Sequence, residues 1–189
     1  MQPTNAHTSP MHVLFLLSSV GARWTCPAYE EISTPSARNL EPARYEGFWY
    51  EVHSHNVPLV NSCFCTRYNF SLTGGATFND DFTCRKGGAE SPLFVIHNKD
   101  SFDPKQPGKM VESLGPASPP YWVLQIWGDY EYALVYACVG SPLLGEYTYF
   151  FSRQPSIPHD QYQAMTNFAL ERNISLASVR DVPMGGCKW

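Results

Sequence analysis

The segment Gly47-Phe48-Trp49-Tyr50-Glu51 constrains the fold of this chain more than any other stretch. A glycine precedes two large aromatic residues, and polar and apolar residues alternate after them. Because glycine permits a close backbone approach, this pattern predicts a strand that begins where the chain passes near another element, with Trp49 filling an apolar interior. From this segment alone, an ordinary strand with a buried tryptophan is the alternative.

Eight short segments of strand character run along the chain, joined by turns that draw on 16 prolines and 13 glycines. We predict strands at about 47–55, 65–72, 76–85, 93–98, 109–114, 121–127, 132–139 and 145–152. The stretch 103–108 predicts a proline-rich turn between the fourth strand and the fifth. Such a meander favours closure into an all-β barrel, because closure removes the exposed sheet edges.

One helix is predicted after the barrel, at about 158–172, with Pro158 at its first position. The residues that recur at helical spacing on one face are Tyr162, Met165, Phe168 and Ala169. We expect this face to pack against the barrel. Before the barrel, the polar and proline-rich residues 26–44 predict an extended segment across one end, and after the helix a tail at 176–189 leads back to Cys187.

Length and charge exclude several classes of function. The 189 residues suffice for one core, and a net charge of −4 without any basic run argues against a nucleic-acid partner. The chain contains no Gly-x-Ser-x-Gly elbow, no GxGxxG and no P-loop, so we predict none of the corresponding enzyme sites and expect no cofactor. Glu51, His53 and His55 alternate on the first predicted strand. They would suit a metal only if all three faced inward, and we predict solvated side chains instead.

Six cysteines are spread along the chain without CxxC spacing, at positions 26, 63, 65, 84, 138 and 187. Cys63-Phe64-Cys65 is too tight for a zinc knuckle, so we predict no metal site. An even number of scattered cysteines indicates disulfides, formed in an oxidising compartment, and spacing alone leaves their pairing open.

The N-terminal region predicts export from the cytosol. The apolar run Val13–Ala22 ends in small residues and fits the hydrophobic part of a secretory signal peptide. We therefore expect residues 1–22 to be a signal peptide and 23–189 to form a single domain, secreted or held in the lumen of an oxidising organelle. The residues before this run contain no lysine or arginine, and a buried strand is the alternative.

Three motifs, in order, resemble those of the lipocalin family. Gly47–Glu51 resembles the signature of the first barrel strand, Gly128-Asp129-Tyr130 the motif between the sixth and seventh strands, and Phe151-Ser152-Arg153-Gln154-Pro155 the third motif. The similarity extends from about Cys26 to Cys187, and the apolipoprotein D group, with its bacterial and plant relatives, is the part of the family that the chain resembles most. It implies an eight-stranded antiparallel up-and-down barrel at about 45–152, with one C-terminal α-helix packed outside.

The resemblance also implies roles for particular residues. The motif residues are Gly47, Trp49, Asp129, Tyr130 and Arg153. Arg153 is expected to pack across Trp49 and to close the barrel floor without touching ligand. The implied disulfides are Cys26–Cys138 and Cys65–Cys187, since Cys65 matches the family position better than Cys63, and Cys63–Cys84 then remains as the third pair.

If the disulfides lie outside the barrel, the period of two along a strand assigns the inward faces. If Cys138 points outward, then Ala133, Val135 and Ala137 point inward. If Cys65 points outward, then Tyr68, Phe70 and Leu72 point inward. Family likeness adds Tyr149 and Phe151 on the eighth strand, and Tyr121, Val123 and Gln125 on the sixth. The predicted ligand-binding residues are Tyr68, Phe70, Tyr121, Val123, Val135, Tyr149 and Phe151. N-glycosylation sequons begin at Asn69, which shares the outward parity of Cys65, and at Asn173.

The resemblance implies that the protein binds and carries a small hydrophobic ligand, such as a lipid, sterol, fatty acid, retinoid or carotenoid. It leaves open the oligomeric state and any association with a membrane surface or a lipoprotein. A barrel filled by its own side chains and a protein-binding module that uses the barrel surface are two alternatives. The third is an enzyme, because residues 103–108 and Tyr121–Leu124 are similar to the lipocalin domain of violaxanthin de-epoxidase. That enzyme acts on a carotenoid epoxide with ascorbate as reductant, and its cysteine-rich and acidic flanking regions have no counterpart here.

Overall fold

The computed structural model describes residues 26–57, 61–113, 115, 118–139 and 145–189. The predicted signal peptide lies outside the described residues. Nine strands form one antiparallel sheet: β1 (Gly47–His55), β2 (Cys63–Gly74), β3 (Thr77–Lys86), β4 (Leu93–Asp103), β5 (Gln106–Glu112), β6 (Pro120–Trp127), β7 (Tyr132–Cys138), β8 (Glu146–Ser152) and β9 (Val179–Asp181).

The sheet closes on itself. Its order is β2-β3-β4-β5-β6-β7-β8-β1-β9, and β1 also pairs with β2, so that eight strands form a barrel and β9 lies outside it against β1. The predicted eight-stranded meander is therefore confirmed. The short ninth strand was not predicted, since three residues carry too little alternation to identify it.

Three short helical turns precede the barrel, where the sequence predicted an extended segment. They are α1 (Tyr29–Ile32), α2 (Pro35–Arg38) and α3 (Pro42–Tyr45). The Thr34 side chain caps α2 by accepting a hydrogen bond from the Ala37 N–H at 3.3 Å, and Pro35 suits the first turn. The Thr34 N–H also donates to the Leu124 carbonyl of β6 at 2.9 Å, which fixes the segment on the barrel.

The fifth strand begins earlier than predicted, because the turn before it is tight. Strand β5 starts at Gln106 and includes Gly108, which was assigned to a proline-rich turn. A Cβ atom on Gly108 would lie 2.3 Å from the Ala37 carbonyl oxygen and 2.5 Å from the Tyr29 hydroxyl. Glycine is therefore required at this position by the close approach of the N-terminal segment.

β-bulges shift the inward and outward faces on three strands. Register shifts occur between Glu51 and His53 on β1, between Phe64 and Arg67 on β2, and between Val123 and Gln125 on β6. Because each bulge inserts an extra residue, the simple alternation fails beyond it. Gln125, predicted inward, instead accepts a hydrogen bond from Ser36 outside the barrel, and Ile126 joins the interior.

Leu72 is a second correction to the predicted faces. Its side chain is 39% exposed, although the alternation along the second strand placed it inside. Leu72 lies next to the β2–β3 turn, where another register shift separates it from Gly74. Its backbone N–H donates to the Glu46 carboxylate at 2.6 Å. The strand has thus left the apolar interior before it reaches this residue.

Helix α4 (His159–Glu171) packs on the outside of the barrel, as predicted. It begins one residue late because Pro158 has extended dihedrals and precedes the first helical residue. Met165 and Ala169 are buried in an outer core that includes Leu134, Tyr136 and Phe150. This outer core is separate from the cluster inside the barrel. No helix among the described residues is long and apolar enough to span a membrane.

Three disulfides cross-link the structure, and two of them tie strands to the terminal segments. Cys26–Cys138 joins the N-terminal segment to β7, and Cys65–Cys187 joins β2 to the C-terminal tail. Cys63–Cys84 links the neighbouring strands β2 and β3. These are the implied pairs, but Cys63 and Cys84 belong to the interior cluster. The assumption that all the bonds lie outside the barrel is wrong for this pair, because the β2 bulge separates Cys63 from the outward face of Cys65.

Candidate ligand-binding site

The residues predicted to contact ligand all lie in the interior cluster of the barrel. They are Tyr68, Phe70, Tyr121, Val123, Val135, Tyr149 and Phe151. Four different strands supply them, and each reaches the interior through the alternation of its own strand. The structure thus brings the predicted set together, and contact with a ligand stays a prediction.

Rings pack against one another in the middle of the barrel. The Tyr121 ring centroid lies 6.2 Å from that of Phe70 and 5.9 Å from that of Tyr149. The Tyr68 ring lies 4.9 Å from Phe151. Phe70, Tyr121 and Phe151 have at most 1% exposure, whereas Tyr68 and Tyr149 retain 6% and 8%. The side chains fill the deep interior themselves, and Tyr68 and Tyr149 are the members of this set that a guest would reach first.

The barrel floor is closed by a cation–aromatic stack. The Arg153 guanidinium lies 3.9 Å from the Trp49 ring centroid and donates hydrogen bonds to backbone carbonyls of Phe48 and Arg44. Gly47, at φ +91°, adopts a conformation that favours glycine, while a Cβ there would meet Arg153 at an ordinary 3.5 Å. The backbone angle, more than close approach, therefore requires this glycine.

The other two motif residues complete the floor. Tyr130 has φ +65° in the β6–β7 turn, and its carbonyl accepts a hydrogen bond from the Arg153 Nε at 3.2 Å. The exposed Asp129 forms an ion pair with Arg44, whose guanidinium lies over the Tyr130 ring. The motif residues thus contact one another at one end of the barrel.

Apolar side chains at the opposite end, which we call the upper end, are less completely buried. Phe94 and Ile96 near the start of β4 and Tyr147 near the start of β8 pack against the interior cluster and remain partly exposed. Because burial of apolar area contributes about 25 cal/mol per Å², covering these three side chains with a lipophilic ligand would be favourable. These three accessible interior side chains are therefore hydrophobic, and two of them are aromatic.

Strands β3, β4 and β5 each place one carboxyl group on the interior face, and the sequence pattern did not predict them. Asp80 and Asp100 have no exposed surface, and all four of their carboxyl oxygens lack a hydrogen-bond partner in the described structure. Glu112 accepts a hydrogen bond from the Asn98 amide at 2.7 Å. Asp80 alternates with Phe78 and Phe82 on β3, which was the available signal. We call Asp80, Asp100 and Glu112 the acid cluster.

Burial controls the protonation of the acid cluster. It raises the pKa of Asp80 and of Asp100 well above the ordinary aspartate value, and their mutual repulsion with Glu112 acts in the same direction. Burial also raises the pKa of Glu112 to about 7, partly offset by the hydrogen bond from Asn98. These groups therefore hold protons at a pH where exposed carboxyls have lost theirs.

Glu51 of β1 is a further buried carboxyl, and the prediction of a solvated side chain is wrong for it, because its position on the strand faces the interior beside Tyr68. Its Oε2 accepts a hydrogen bond from the Tyr68 hydroxyl at 3.1 Å, and burial raises its pKa to about 7. The bulge at Val52 turns His53 and His55 away from it, toward Asp181 and Ser178 outside the barrel. Within the described part of the chain, no group of three or more His, Cys, Asp or Glu side chains could hold a metal ion.

The two sequons lie on the outside. Asn69 pairs across the sheet with Phe48 and Asp81, and these three residues line a shallow outer groove with Arg67 and His97. Asn173 is exposed just after α4, with φ +55°. Both amides thus lie on the outer surface, and glycosylation itself stays a prediction.

Comparison with known proteins agrees with this architecture. Residues 40–184 match the family described as the lipocalin-like domain. Apolipoprotein D of Macaca fascicularis is 25% identical over 195 residues, covering 93% of this chain and 96% of that protein.

Solved structures show the same fold. Lobster apocrustacyanin A1 superposes with a TM-score of 0.70 at 16% identity, over 87% of this chain and 89% of that one. Insecticyanin from the tobacco hornworm Manduca sexta gives 0.65 at 16% identity, over 81% and 86%. Since the family match spans most of the closed barrel and its helix, the chain belongs to the lipocalin family.

Proposed function

We propose that this protein binds one small hydrophobic ligand inside the barrel and carries it in an extracellular or lumenal fluid. The observation that carries the proposal is the aromatic interior, with the partly exposed side chains of Phe94, Ile96 and Tyr147 at its upper end. Members of the lipocalin family bind small hydrophobic ligands, which supports the same conclusion. Three disulfides and the similarity to apolipoprotein D fit a secreted protein.

The expected ligand is apolar along most of its length and carries one polar group. The Tyr68 and Tyr149 rings offer flat apolar faces together with hydroxyl groups. Removing a few hundred Å² of ligand surface from water at about 25 cal/mol per Å² yields several kcal/mol, which corresponds to micromolar or tighter binding. Retinoids, sterols, fatty acids and carotenoids all meet this description.

Titration with retinol, followed by its fluorescence, tests the proposal. We expect saturable one-to-one binding. Ile96→Trp, which fills the upper interior, should weaken it at least about tenfold. Val95→Trp is the matched control, because Val95 is the adjacent residue on β4, faces outward and is 40% exposed. Failure to bind retinol or any competing sterol or fatty acid, or equal effects of the two variants, would contradict a ligand in the barrel.

A second candidate function is the acid-assisted reduction of a bound epoxide, for which the resemblance to violaxanthin de-epoxidase is the reason. The observation that favours it is the pair of buried, unpartnered carboxyls on Asp80 and Asp100. Burial raises the pKa of both, and in the protonated form they could donate to an epoxide oxygen. Ascorbate would supply the two electrons and be oxidised to dehydroascorbate, and the oxygen would leave as water. Incubation with violaxanthin and ascorbate at acidic pH, without loss of epoxide, would exclude this activity.

A further inference from the structure

The acid cluster joins adjacent strands on the interior face. Asp80 of β3 pairs with Asn98 of β4, and Asp100 of β4 pairs with Glu112 of β5. Asp80 and Asp100 are completely buried, while Asn98 and Glu112 remain partly exposed. Exposure therefore decreases along the cluster: Glu112 is partly accessible, and the buried Asp100 lies directly beside it on the neighbouring strand.

None of the ion pairs in the described structure reaches this cluster. Each of these ion pairs joins its cation to a carboxylate outside the cluster, on the outer surface or near a terminus. The charged and titratable groups that act on Asp80 and Asp100 are acidic or neutral: Glu112, Asp81, and the phenols of Tyr45, Tyr68, Tyr121 and Tyr149. Arg153 acts on Tyr45 from the floor and donates its hydrogen bonds to backbone carbonyls there. Among the described residues the cluster therefore has no counter-ion, and a buried carboxylate without a positive partner is unfavourable.

Aromatic rings and unpaired hydroxyls surround the same position. Phe78 lies two residues before Asp80 on β3 and faces the same side of the strand. The Phe78 ring is 6.2 Å from the Tyr45 ring and 6.0 Å from the Phe70 ring. The hydroxyls of Tyr45 and Tyr121 are buried, and neither has a hydrogen-bond partner in the described structure. Both phenols interact electrostatically with Asp80 and Asp100. Buried oxygens without a hydrogen-bond partner are thus supplied to this part of the interior by β3, β4, β6 and α3.

We propose that the acid cluster is the counter-ion site for a hydrophobic ligand that carries an ammonium group. This inference rests on the proposed ligand-binding function and specifies the polar end of the ligand. An ammonium supplies three N–H donors and a positive charge, which match the unpartnered carboxyl oxygens. The surrounding rings add cation–π attraction in a site that excludes water. The Tyr121 and Tyr149 rings, which pack together at this depth, would move apart to admit the ligand, and its apolar body would extend past Ile96 toward the upper end.

The affinity of this site for an amine should depend on pH, and the sign of that dependence follows from the protonation of the carboxyls. Without an amine, the buried carboxyls hold protons, and the ammonium must replace them as the positive partner. Lower pH therefore weakens amine binding through competition. A neutral ligand whose oxygen accepts hydrogen bonds from protonated carboxyls would show the opposite dependence. The sign of the pH effect distinguishes the two ligand classes.

Competition against bound retinol provides the experiment, with dodecylamine, dodecanol and dodecanoic acid as matched probes. We expect dodecylamine to bind at least about tenfold more tightly than dodecanol at neutral pH, and to lose that advantage by pH 5. The double variant Asp80→Asn/Asp100→Asn should abolish the preference for the amine. Glu112→Gln, which changes a partly exposed group, should reduce it and provides a second test if the double variant does not fold.

Asp81→Asn is the matched control. Asp81 adjoins Asp80 on β3, faces outward, and pairs with His97 at 2.6 Å. This variant removes an outward charge that repels ionised Asp80 but leaves the interior carboxyls in place, so the preference for the amine should persist. An amine that binds no more tightly than the alcohol, or a preference that survives in both cluster variants, would overturn the inference while retinol binding still upheld the carrier function. A wild-type protein that binds neither retinol nor any dodecyl probe would overturn both.

Discussion

The guanidinium of Arg153 lies 3.9 Å from the centre of the Trp49 ring and holds together three segments at the barrel floor. It donates to the Phe48 carbonyl at 2.9 Å, to the Arg44 carbonyl at 2.8 Å and to the Tyr130 carbonyl at 3.2 Å. These acceptors belong to β1, to α3 and to the β6–β7 turn. One side chain therefore fixes the start of the barrel, the segment before it and a distant turn.

Replacing Arg153 with alanine should destabilise the protein without removing ligand binding. We expect a loss of about 2–4 kcal/mol in the free energy of unfolding, because the stack and the hydrogen bonds from a charged donor disappear together. Chemical denaturation measures the loss, and retinol titration measures binding.

Arg153→Lys is the control for this prediction. Lysine keeps the charge but cannot make the forked contacts, so its stability should fall between that of the wild type and the alanine variant. A variant that retains wild-type stability but loses retinol binding would show that Arg153 contacts the ligand, contrary to the expectation.

Stability should decrease as pH rises through neutrality. Burial raises the pKa of Glu51 from 4.5 to about 7, so the folded state binds a proton that the unfolded state has released. The resulting stabilisation is fully present below about pH 4.5 and is lost as pH rises through about 7, amounting to about 3 kcal/mol for this group. Asp80, Asp100 and Glu112 act with the same sign.

Glu51→Gln tests the contribution of this carboxyl. The amide oxygen can still accept the Tyr68 hydrogen bond, and it carries no charge at any pH. Denaturation at pH 5 and pH 8 should show a smaller difference for the variant than for the wild type, with the variant the more stable protein at pH 8. An unchanged pH slope would mean that Glu51 ionises normally in the folded state.

The Cys65–Cys187 disulfide should hold the C-terminal tail to the barrel. It closes a separation of 122 residues. Beyond α4, the three-residue β9 also attaches the tail to the barrel, as do the hydrogen bond from the Cys65 N–H to the Pro183 carbonyl, the ion pair of Lys188 with Glu90 and the Trp189 ring, which lies 4.9 Å from Tyr50. Cys65→Ala/Cys187→Ala should cost about 2–5 kcal/mol and expose the tail to proteolysis. If limited proteolysis cleaves the wild type and the variant equally within 172–189, the non-covalent contacts of the tail hold it without the disulfide.

The sequons predict a glycoprotein. Protein secreted from eukaryotic cells should lose mass on treatment with an N-glycosidase, and Asn69→Gln and Asn173→Gln should each remove one part of that loss. Equal masses before and after treatment would contradict both sites.

The alternation of residues predicted the barrel well and failed where the backbone is irregular. On β7 and β8 the predicted inward residues, such as Val135 and Phe151, belong to the interior cluster. Gln125 and Leu72 were placed on the wrong face, because local register shifts leave only weak marks in the side-chain pattern. The helical turns before β1 were missed because each contains only four residues.

The acid cluster shows a different limit of the sequence. Asp80 shares the parity of Phe78 and Phe82, so its inward direction could have been derived from β3 alone. Its proximity to Asp100 and Glu112 depends on the pairing register of three strands, which a single strand does not reveal. Polar residues in alternating strands are usually assigned to the solvent face, and that assignment is wrong for the buried carboxyls of the acid cluster, whose pKa values burial raises.

Native mass spectrometry of the protein purified from its own source tests the central claim most directly. The carrier function predicts one non-covalently bound hydrophobic molecule per chain, released by organic solvent, after which the emptied protein takes up one retinol. A protein that carries nothing when isolated and takes up no lipophile when offered one would contradict a ligand inside the barrel.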